Sequence, residues 1–445
     1  MIEYEIHPDT ETYSLILQLF AKGGYYDEAW ALLGDMEAVG INPDKSCLDS
    51  MLSCAENVPE GIHPVLQTMH SLGITLDAVS YHHIISHHAN FLNIPMCLRV
   101  LEEMQNQGIV PKIETADIIV SAASKAKMPK LALDVALLFE KQSTRKLEGR
   151  TWMKVLIASA DMFYIEGVQI AWERAVVEGR FLPDEGTMNN VLNTAARHGL
   201  PQLARDVITH LQGIEVPVQE HHVAAMVDSL VAAGEIKHAF EAVHKYDPDT
   251  LVSTSRTMHS LFRAVSKDVE SVDRAYGYLE EMANDPESKV NVLGLNVVIA
   301  AAVALEDMQR AMGIYKAASD FSVKPNVDTI NTLLSGCILL SHRSLGDRIM
   351  TEARDDNIKP DTGTYERYII LCLTQPTYED AFFYLEEMKG AGFKPTAKVY
   401  DSIIRRTLRA HDSRWKLAMA ELLEAKYRLS PDLKALIDKH ELTET

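Results

Sequence analysis

The residues whose spacing most invites chemistry are histidines. His82-His83 and His87-His88 form two pairs, and on a helix His83 and His87 would share a face at i, i+4. Two imidazoles so spaced can chelate a divalent metal, and a glutamate after the first would supply the general base of a metallopeptidase. Here Ile84 follows His83, and no carboxylate or cysteine stands at a recognisable ligand spacing. The expectation is therefore no metal and no cofactor, with the imidazoles packed against neighbouring helices. Five cysteines (Cys47, Cys54, Cys97, Cys337, Cys372) are scattered without a C-x-x-C pair. That pattern predicts reduced thiols in an intracellular compartment. No glycine-rich phosphate loop occurs either. The chain is read as having no enzymatic activity.

What remains is a matter of which elements hold side chains in register, and those elements repeat. Lys324-Pro325-Asn326-Val327-Asp328-Thr329-Ile330-Asn331 returns as Lys359-Pro360-Asp361-Thr362-Gly363-Thr364-Tyr365-Glu366 and then as Lys394-Pro395-Thr396. Asn326, Asp361 and Thr396 thus recur every 35 residues, as do Asp9 and Asp44 near the start of the chain. A fixed period of that length is the signature of stacked helical pairs, each packing only on its neighbours. In the unit Thr10–Asp44, Thr12 is expected to cap a helix from Tyr13, with Leu15, Ile16, Leu19 and Phe20 at helical spacing. Lys22-Gly23-Gly24 breaks it, and a second helix carries Ala29, Leu32, Leu33 and Met36 before Gly40 and Pro43.

Unit ends are expected at Asp44, Asp77, Lys112, Glu148, Asp184, Gln219, Thr254, Asn291, Asn326, Asp361, Thr396 and Asp432. Residues 1–9 read as the end of a preceding repeat. The start inside a repeat, without a basic amphipathic leader, suggests a processed precursor or a part of a longer chain. Residues 10–432 form the array, with units at about 113–254 degenerate because they lose the Pro-Asp joint. The extra length of the unit ending at Asn291 is assigned to a loop at Asp268–Val272. Leu433–His440 would be a capping helix, within a C-terminal segment 433–445.

The net charge of −20 is unevenly spread. Residues 1–60 carry many acids, among them Asp27, Glu28, Asp35 and Glu37, against Lys22 and Lys45 alone. Residues 397–416 hold Lys398, Arg405, Arg406, Arg409, Arg414 and Lys416 against Asp401 and Asp412. Partner chemistry is therefore a local question. No apolar run approaches the ~18 residues of a membrane span.

The Thr12-Tyr13-Ser14-Leu15-Ile16 opening, the Asp27-Glu28-Ala29 start of a second helix, and Asp35-Met36-Glu37 leading to Gly40-Ile41-Asn42-Pro43-Asp44 resemble the pentatricopeptide repeat family. The C-terminal counterpart is Glu379-Asp380-Ala381 through Glu386-Glu387-Met388, followed by Gly392-Phe393-Lys394-Pro395-Thr396. The Trp and Leu-Gly positions of tetratricopeptide units are missing. The resemblance implies an all-α fold, a right-handed α-solenoid superhelix of about twelve helix-turn-helix units. It also implies single-stranded RNA as partner, one base per repeat, read by two or three side chains.

By the same resemblance, the specifying positions are the residue after the Tyr of the first helix and the last residue of the unit. Asn331 with Asp361 resembles a uracil reader, Asn296 with Asn326 a pyrimidine reader, and Ser14 with Asp44 a guanine reader. Asn189 pairs with Gln219 and Glu366 with Thr396. Asp49–Asp77, Asp117–Glu148 and Asp401–Asp432 place two acids where a base edge should lie, which fits the family's combinations badly. Asn and Asp at such places also serve simply as caps or turn formers. Lys398, Arg405, Arg406 and Arg409 could hold phosphates, or form a solvated face. Neither the metallonuclease domain of protein-only ribonuclease P enzymes nor the zinc-ligand pattern of plant editing factors is recognisable.

Two functions are expected from the resemblance and the charge. One is an RNA-binding adaptor in the mitochondrial matrix, acting in transcript stability, processing or translation on a transcript or ribosomal RNA. The other is a structural subunit of a mitochondrial ribosome or translation-activator complex, engaging proteins through the acidic N-terminal repeats.

Overall fold

The computed structural model describes residues 8–142, 145–245, 258–285 and 289–444. Within them the chain forms 25 helices and no strand. Many first helices start at a short polar residue whose side chain caps them, whereas those starting at Ile113, Gly149, His259 and Ala397 have no side-chain cap. Asp9 caps the first helix, its carboxylate accepting from the Thr12 amide at 2.9 Å and the Thr12 hydroxyl at 2.6 Å. The cap is thus Asp9 and not Thr12, because a carboxylate three residues upstream satisfies an orphan amide that Thr12 itself presents. Gly40 ends the second helix at φ 80°. Its amide reaches Glu37 O at 2.9 Å, and the next amide, of Ile41, reaches Met36 O at 3.1 Å. This left-handed closure is one that glycine adopts without a Cβ penalty.

Two compact units divide the chain, residues 1–195 and 196–445. The first contains the pairs α1 (Thr10–Gly23) and α2 (Tyr26–Ala38), α3 (Lys45–Ala55) and α4 (Ile62–Ser71), α5 (Ala78–Asn90) and α6 (Ile94–Asn106), and α7 (Ile113–Lys125) and α8 (Pro129–Gln142). It continues with α9 (Gly149–Asp161) and α10 (Ile165–Trp172), the latter prolonged by a π-helical stretch Glu173–Glu178, and the division falls inside α11 (Glu185–His198). The second unit contains α12 (Pro201–Gly213), α13 (Glu220–Ala232), α14 (Ile236–Lys245), α15 (His259–Val265), α16 (Val269–Asn284), α17 (Val292–Ala304) and α18 (Met308–Ala317). After these come α19 (Val327–Leu339), α20 (Arg343–Asp355), α21 (Thr362–Leu373), α22 (Glu379–Gly390), α23 (Ala397–Arg409), α24 (Trp415–Glu424) and α25 (Pro431–Glu444).

In both units a first helix packs on its own second helix and on the first helix of the next pair. Thus α1 meets α3, α3 meets α5, α5 meets α7 and α7 meets α9 in one unit; α15 meets α17, α17 meets α19, α19 meets α21 and α21 meets α23 in the other. The core is accordingly a succession of local seams, such as Leu48, Met51 and Leu52 with Met69, or Ile330, Leu333 and Leu334 with Ile349. Helix α17 shows the logic plainly. Asn296 is its one polar residue, and neighbours on several sides (α14, α15, α16, α18, α19) bury most of the rest.

Two placements differ from the sequence reading. Only residues 266–268 join α15 to α16, so the extra length near Asn291 is not in that turn. The described difference is in α16, which runs for 16 residues. The last helix starts at Pro431, where the Ser430 hydroxyl accepts from the Leu433 amide at 3.3 Å, and it runs to Glu444. The unit end expected at Thr254 lies outside the described residues.

Candidate nucleic-acid interface

Counting from the residue after the N-cap, the fifth residue of a first helix meets the second or third residue of the next first helix in several repeats. Ser14 and Ser46 hydroxyls lie 2.9 Å apart, and the Ser80 hydroxyl donates to Asp49 at 2.6 Å. His82 Nδ1 lies 3.0 Å from the Thr115 hydroxyl. The Thr151 hydroxyl donates to Asp117, which also accepts from Lys154 Nζ at 3.3 Å. Each contact joins residues about one repeat apart, so it is a rung between successive repeats. Acid pairs that suit base reading poorly thus have a structural use: Asp49 and Asp117 receive hydroxyls across the seam. Asp77 and Asp44 are N-caps, Asp44 accepting from Cys47 at 2.9 Å. Burial pushes the Asp77 carboxyl up, yet the Lys45 ammonium and the amides of Ser80 and Val79 bring it down to about 2. Burial holds Asp49 above the ordinary carboxylate range, against the Ser80 hydroxyl.

The rungs of the second unit are less complete. Asn296 is fully engaged: its Nδ2 donates to Asn326 Oδ1 at 3.1 Å and its Oδ1 accepts from the Thr329 hydroxyl at 2.6 Å. Asn331, 8% exposed, donates from Nδ2 to Asp361 Oδ1 at 3.2 Å, but its Oδ1 is buried without a partner. The reason is local, since Thr364 turns its hydroxyl onto Asp361 at 2.7 Å. Burial raises the Asp361 carboxyl, but the Thr364 hydroxyl and amide and Asn331 together hold it below its ordinary value. Glu366 Oε1 and Thr396 Oγ1 are likewise buried without partners.

Asn296 and Asn331, but neither Glu366 nor Thr396, border a groove of about 610 Å³ across α15, α17, α19 and α21. Val297, Ala300 and Leu339 give it an apolar floor, and Asn296, Asn331, Ser335 and Arg367 its polar groups. Arg367 donates from Nε to Ser335 Oγ at 3.0 Å and from Nη1 to Gly363 O at 3.0 Å, fixing a cation beside Asn331. Sequence reasoning passed over Arg367, which has no motif around it. Its analogue Lys154, also the sixth residue of a first helix, reaches Ser121 in the same way at 2.6 Å.

Elsewhere the structure separates residues that the sequence grouped. Lys398 and Arg409 are exposed on α23. Arg405, in contrast, pairs with Asp401 at 2.5 Å. Arg406 donates to Gln375 O at 2.9 Å and sits 4.9 Å over the Tyr378 ring. Arg414 is bonded to Asp412 and Glu379. Ser14 is buried against Ser46, Asp44 is exposed, and Asn189 is half-buried at the fifth position of α11. Asp27, Glu28, Asp35 and Glu37 are exposed along α2.

The histidines pack between helices. His83 Nδ1 lies 2.6 Å from Glu56 and buried His87 Nδ1 lies 3.0 Å from Ala55 O, while burial and the adjacent His83 lower His82. Among the described residues there is no group of three or more potential metal ligands. All five cysteines are free and buried, and burial pushes the Cys372 thiol up to about 12. Among the described residues no helix is long and apolar enough to cross a membrane.

Comparison with known proteins places this geometry in a family. A family model described as a pentatricopeptide repeat-containing protein matches residues 185–318, one described as a pentatricopeptide repeat domain matches 64–125 and 348–407, and a single PPR repeat model matches 11–41. A chloroplastic pentatricopeptide repeat-containing protein of Arabidopsis thaliana is 24% identical over 198 residues, which is 44% of this chain and 25% of that protein. The chain therefore spans a quarter of the length of that relative. Among solved structures, the pentatricopeptide repeat protein PPR10 from maize aligns at 16% identity over 99% of this chain and 76% of its own, with a TM-score of 0.34. PPR10 in complex with an 18-nt psaJ RNA element aligns at 13% identity over 97% and 82%, with a TM-score of 0.33. The matched segments lie between residue 11 and residue 407 and fall on helix pairs that repeat about every 35 residues. By those segments and that repeat, the chain belongs to the pentatricopeptide repeat proteins.

Proposed function

We propose that this chain binds single-stranded RNA along the first helices of its second unit, with Asn331–Asp361 facing a uracil and Asn296–Asn326, whose amides are already bonded to each other and to Thr329, facing a neighbouring pyrimidine only once a base displaces those bonds. The observation that carries this reading is the Oδ1 of Asn331, a buried acceptor without a partner in a groove with an apolar floor. A buried amide oxygen left bare is unfavourable, and the N3–H of a uracil would satisfy it. The apolar floor suits the face of an unstacked base, and Arg367 suits a phosphate. Lys398 and Arg409 extend the positive surface, whereas Arg405 and Arg406 act mainly within the protein. Ser14, Asp44 and Asn189 hold the equivalent positions in the first unit. The setting is RNA metabolism in an organelle, the mitochondrial matrix, in transcript stability, processing or translation; the chloroplastic relative supports an organellar setting.

The test is crosslinking in native extract followed by sequencing of bound RNA, in parallel with Asn331→Ala and Arg367→Ala. A footprint that weakens in both variants supports the reading. Absence of RNA, or a footprint unchanged in both, removes it. A second reading has its own observation, the exposed acids of α2. They favour a basic protein surface, as in a ribosomal or translation-activator assembly, and Asp27→Lys with Glu28→Lys would abolish co-purification of that partner.

A further inference from the structure

We propose that a pocket at the turn edge of the second unit, lined by Arg263, Lys267 and Arg274, binds a phosphorylated serine or threonine side chain of a protein partner. This pocket and the RNA groove share no lining residue, so the two readings stand or fall separately.

The pocket, of about 530 Å³, is bounded by the end of α13 at Val231, the turn at Gly234, the start of α14 at Ile236, α15, and the first half of α16. On α15 it takes Ser260, Arg263 and Ala264, whereas the groove takes His259 and Phe262. At about 3.6 residues per turn those sets centre on different sides of the helix. Arg263, Lys267 and Arg274 are exposed. Other arginines of this unit are held by carboxylates, as Arg310 is by Asp273 at 2.8 Å, Arg354 by Glu387 at 3.5 Å and Arg405 by Asp401 at 2.5 Å. Among the described residues, by contrast, the three cations of the pocket form no ion pair, and Arg274 is held only by Ser271, its Nη2 donating to the hydroxyl at 3.1 Å. Asp268 is the one carboxylate of the lining, and it serves as the cap of α16, accepting from the Ser271 amide at 2.6 Å. The Ser271 amide and hydroxyl, then Arg274 and Lys267, hold its carboxyl below the ordinary value. The Ser260 hydroxyl is buried without a partner, a donor left over at the same place.

Charge and geometry select the ligand. Three cations against one carboxylate leave a surplus of two positive charges. A carboxylate or a phosphodiester brings one negative charge, whereas a phosphate monoester brings about 1.5 to 2 near neutral pH. Two guanidinium forks match its oxygens bidentately, and Lys267 adds a point charge on a flexible stem. On a chain with a net charge of −20, such a patch is a local attractive field for an anion. Val231 and Ile236 give the pocket an apolar wall for the carbon atoms of the modified residue. Position favours a protein as the bearer. An RNA strand lying in the groove follows the other side of α15, while the pocket opens at the turns between helices, within reach of a flexible segment.

The experiment titrates the full chain, by isothermal calorimetry, with one short neutral peptide carrying serine, aspartate or phosphoserine at its centre. The same titrations are run on Arg263→Gln combined with Arg274→Gln and on Ser260→Ala, each checked for an unaltered melting profile. The phosphoserine peptide should bind the wild type about tenfold or more tightly than the other two. The double variant should lose that preference by about tenfold or more, as expected when charge-assisted bonds are removed. Ser260→Ala should reduce it less, by about threefold. Absence of a phosphoserine preference in the wild type, or a preference that survives in the double variant, overturns the proposal. A single-stranded RNA with a 5′-phosphate and its 5′-hydroxyl counterpart form the last arm. A 5′-phosphate preference that the double variant loses, with no preference among the peptides, assigns the pocket to an RNA end and overturns the protein reading.

Discussion

The same structural position does different work in the two units. In the first, Ser14, Asp49, His82 and Asp117 each meet a hydroxyl of the next first helix, and the rungs are closed. In the second, Asn331, Glu366 and Thr396 keep buried polar atoms without partners. A closed rung contributes to the seam between repeats; an open one leaves a desolvated acceptor that only a ligand or a water can satisfy. What separates them is small. A Ser or Thr two or three residues after the cap closes a rung when it reaches back, and the rung stays open when that place holds Val399 or when Thr364 turns to its own cap. The fifth and last positions therefore hold two populations, and the orientation of the hydroxyl near the next cap separates them.

The largest effect that sharpens this contrast is on stability in the first unit. Trp152, 2% exposed in α9, donates to Glu140 at 3.2 Å. Trp152→Ala should cost about 3–5 kcal/mol in urea unfolding while RNA affinity carried by the second unit stays within twofold. A parallel loss of affinity would show that the units do not act separately. Next, Asn331→Ala should weaken RNA binding by about 1–3 kcal/mol in fluorescence anisotropy, with little change in melting temperature. An affinity that does not move would make this rung a strut like the others.

Asp117→Ala tests the converse. It removes the acceptor of Thr151 and the carboxylate partner of Lys154, which keeps Ser121, and a cost of about 1–2 kcal/mol in thermal unfolding is expected for a charged hydrogen bond that is partly exposed. RNA affinity should not change. Acid should act on both units alike. Asp77 in the first unit and Asp412 in the second have carboxyls brought down to about 2, the former against burial by Lys45 and backbone amides, the latter chiefly by Arg414. A folded value below the ordinary carboxylate value means their stabilisation is present above pH ~4 and is lost as pH falls to ~2. Circular dichroism during acid titration should show that loss, and Asp77→Asn should flatten it. Smallest is the basic surface: Lys398→Ala and Arg409→Ala should each reduce the salt slope of RNA binding by about 0.7. Arg405→Ala should change it less, since Asp401 already balances that charge.

Much of the frame was readable beforehand because it depends on near neighbours in the chain. Asp44, Asp77, Asn326 and Asp361 cap helices through amides two or three residues on, and a cap needs nothing from elsewhere. Helical spacing placed Leu33 and Met36 in the seam for the same reason. The histidine pairs read as packing groups, and His83 and His87 do pack against residues of α3 and the turn after it. Less legible was Arg406, which belongs to a run of basic residues in the sequence but folds over Tyr378. Equally hidden was the distribution of extra residues before Asn291, because a lengthened helix and a lengthened loop have the same count.

The chain alone thus determined the period, the caps, the all-helical class and the positions at which one side chain per repeat stands toward the next. Those properties follow from interactions over four residues or fewer, or from exact recurrence. Only tertiary structure decided which of those side chains are available. A rung closes between residues about 30 apart in sequence, through bonds such as Asn296 to Thr329 or Asp49 to Ser80. Whether a hydroxyl turns to its own cap or across the seam is settled by packing geometry that no local pattern records.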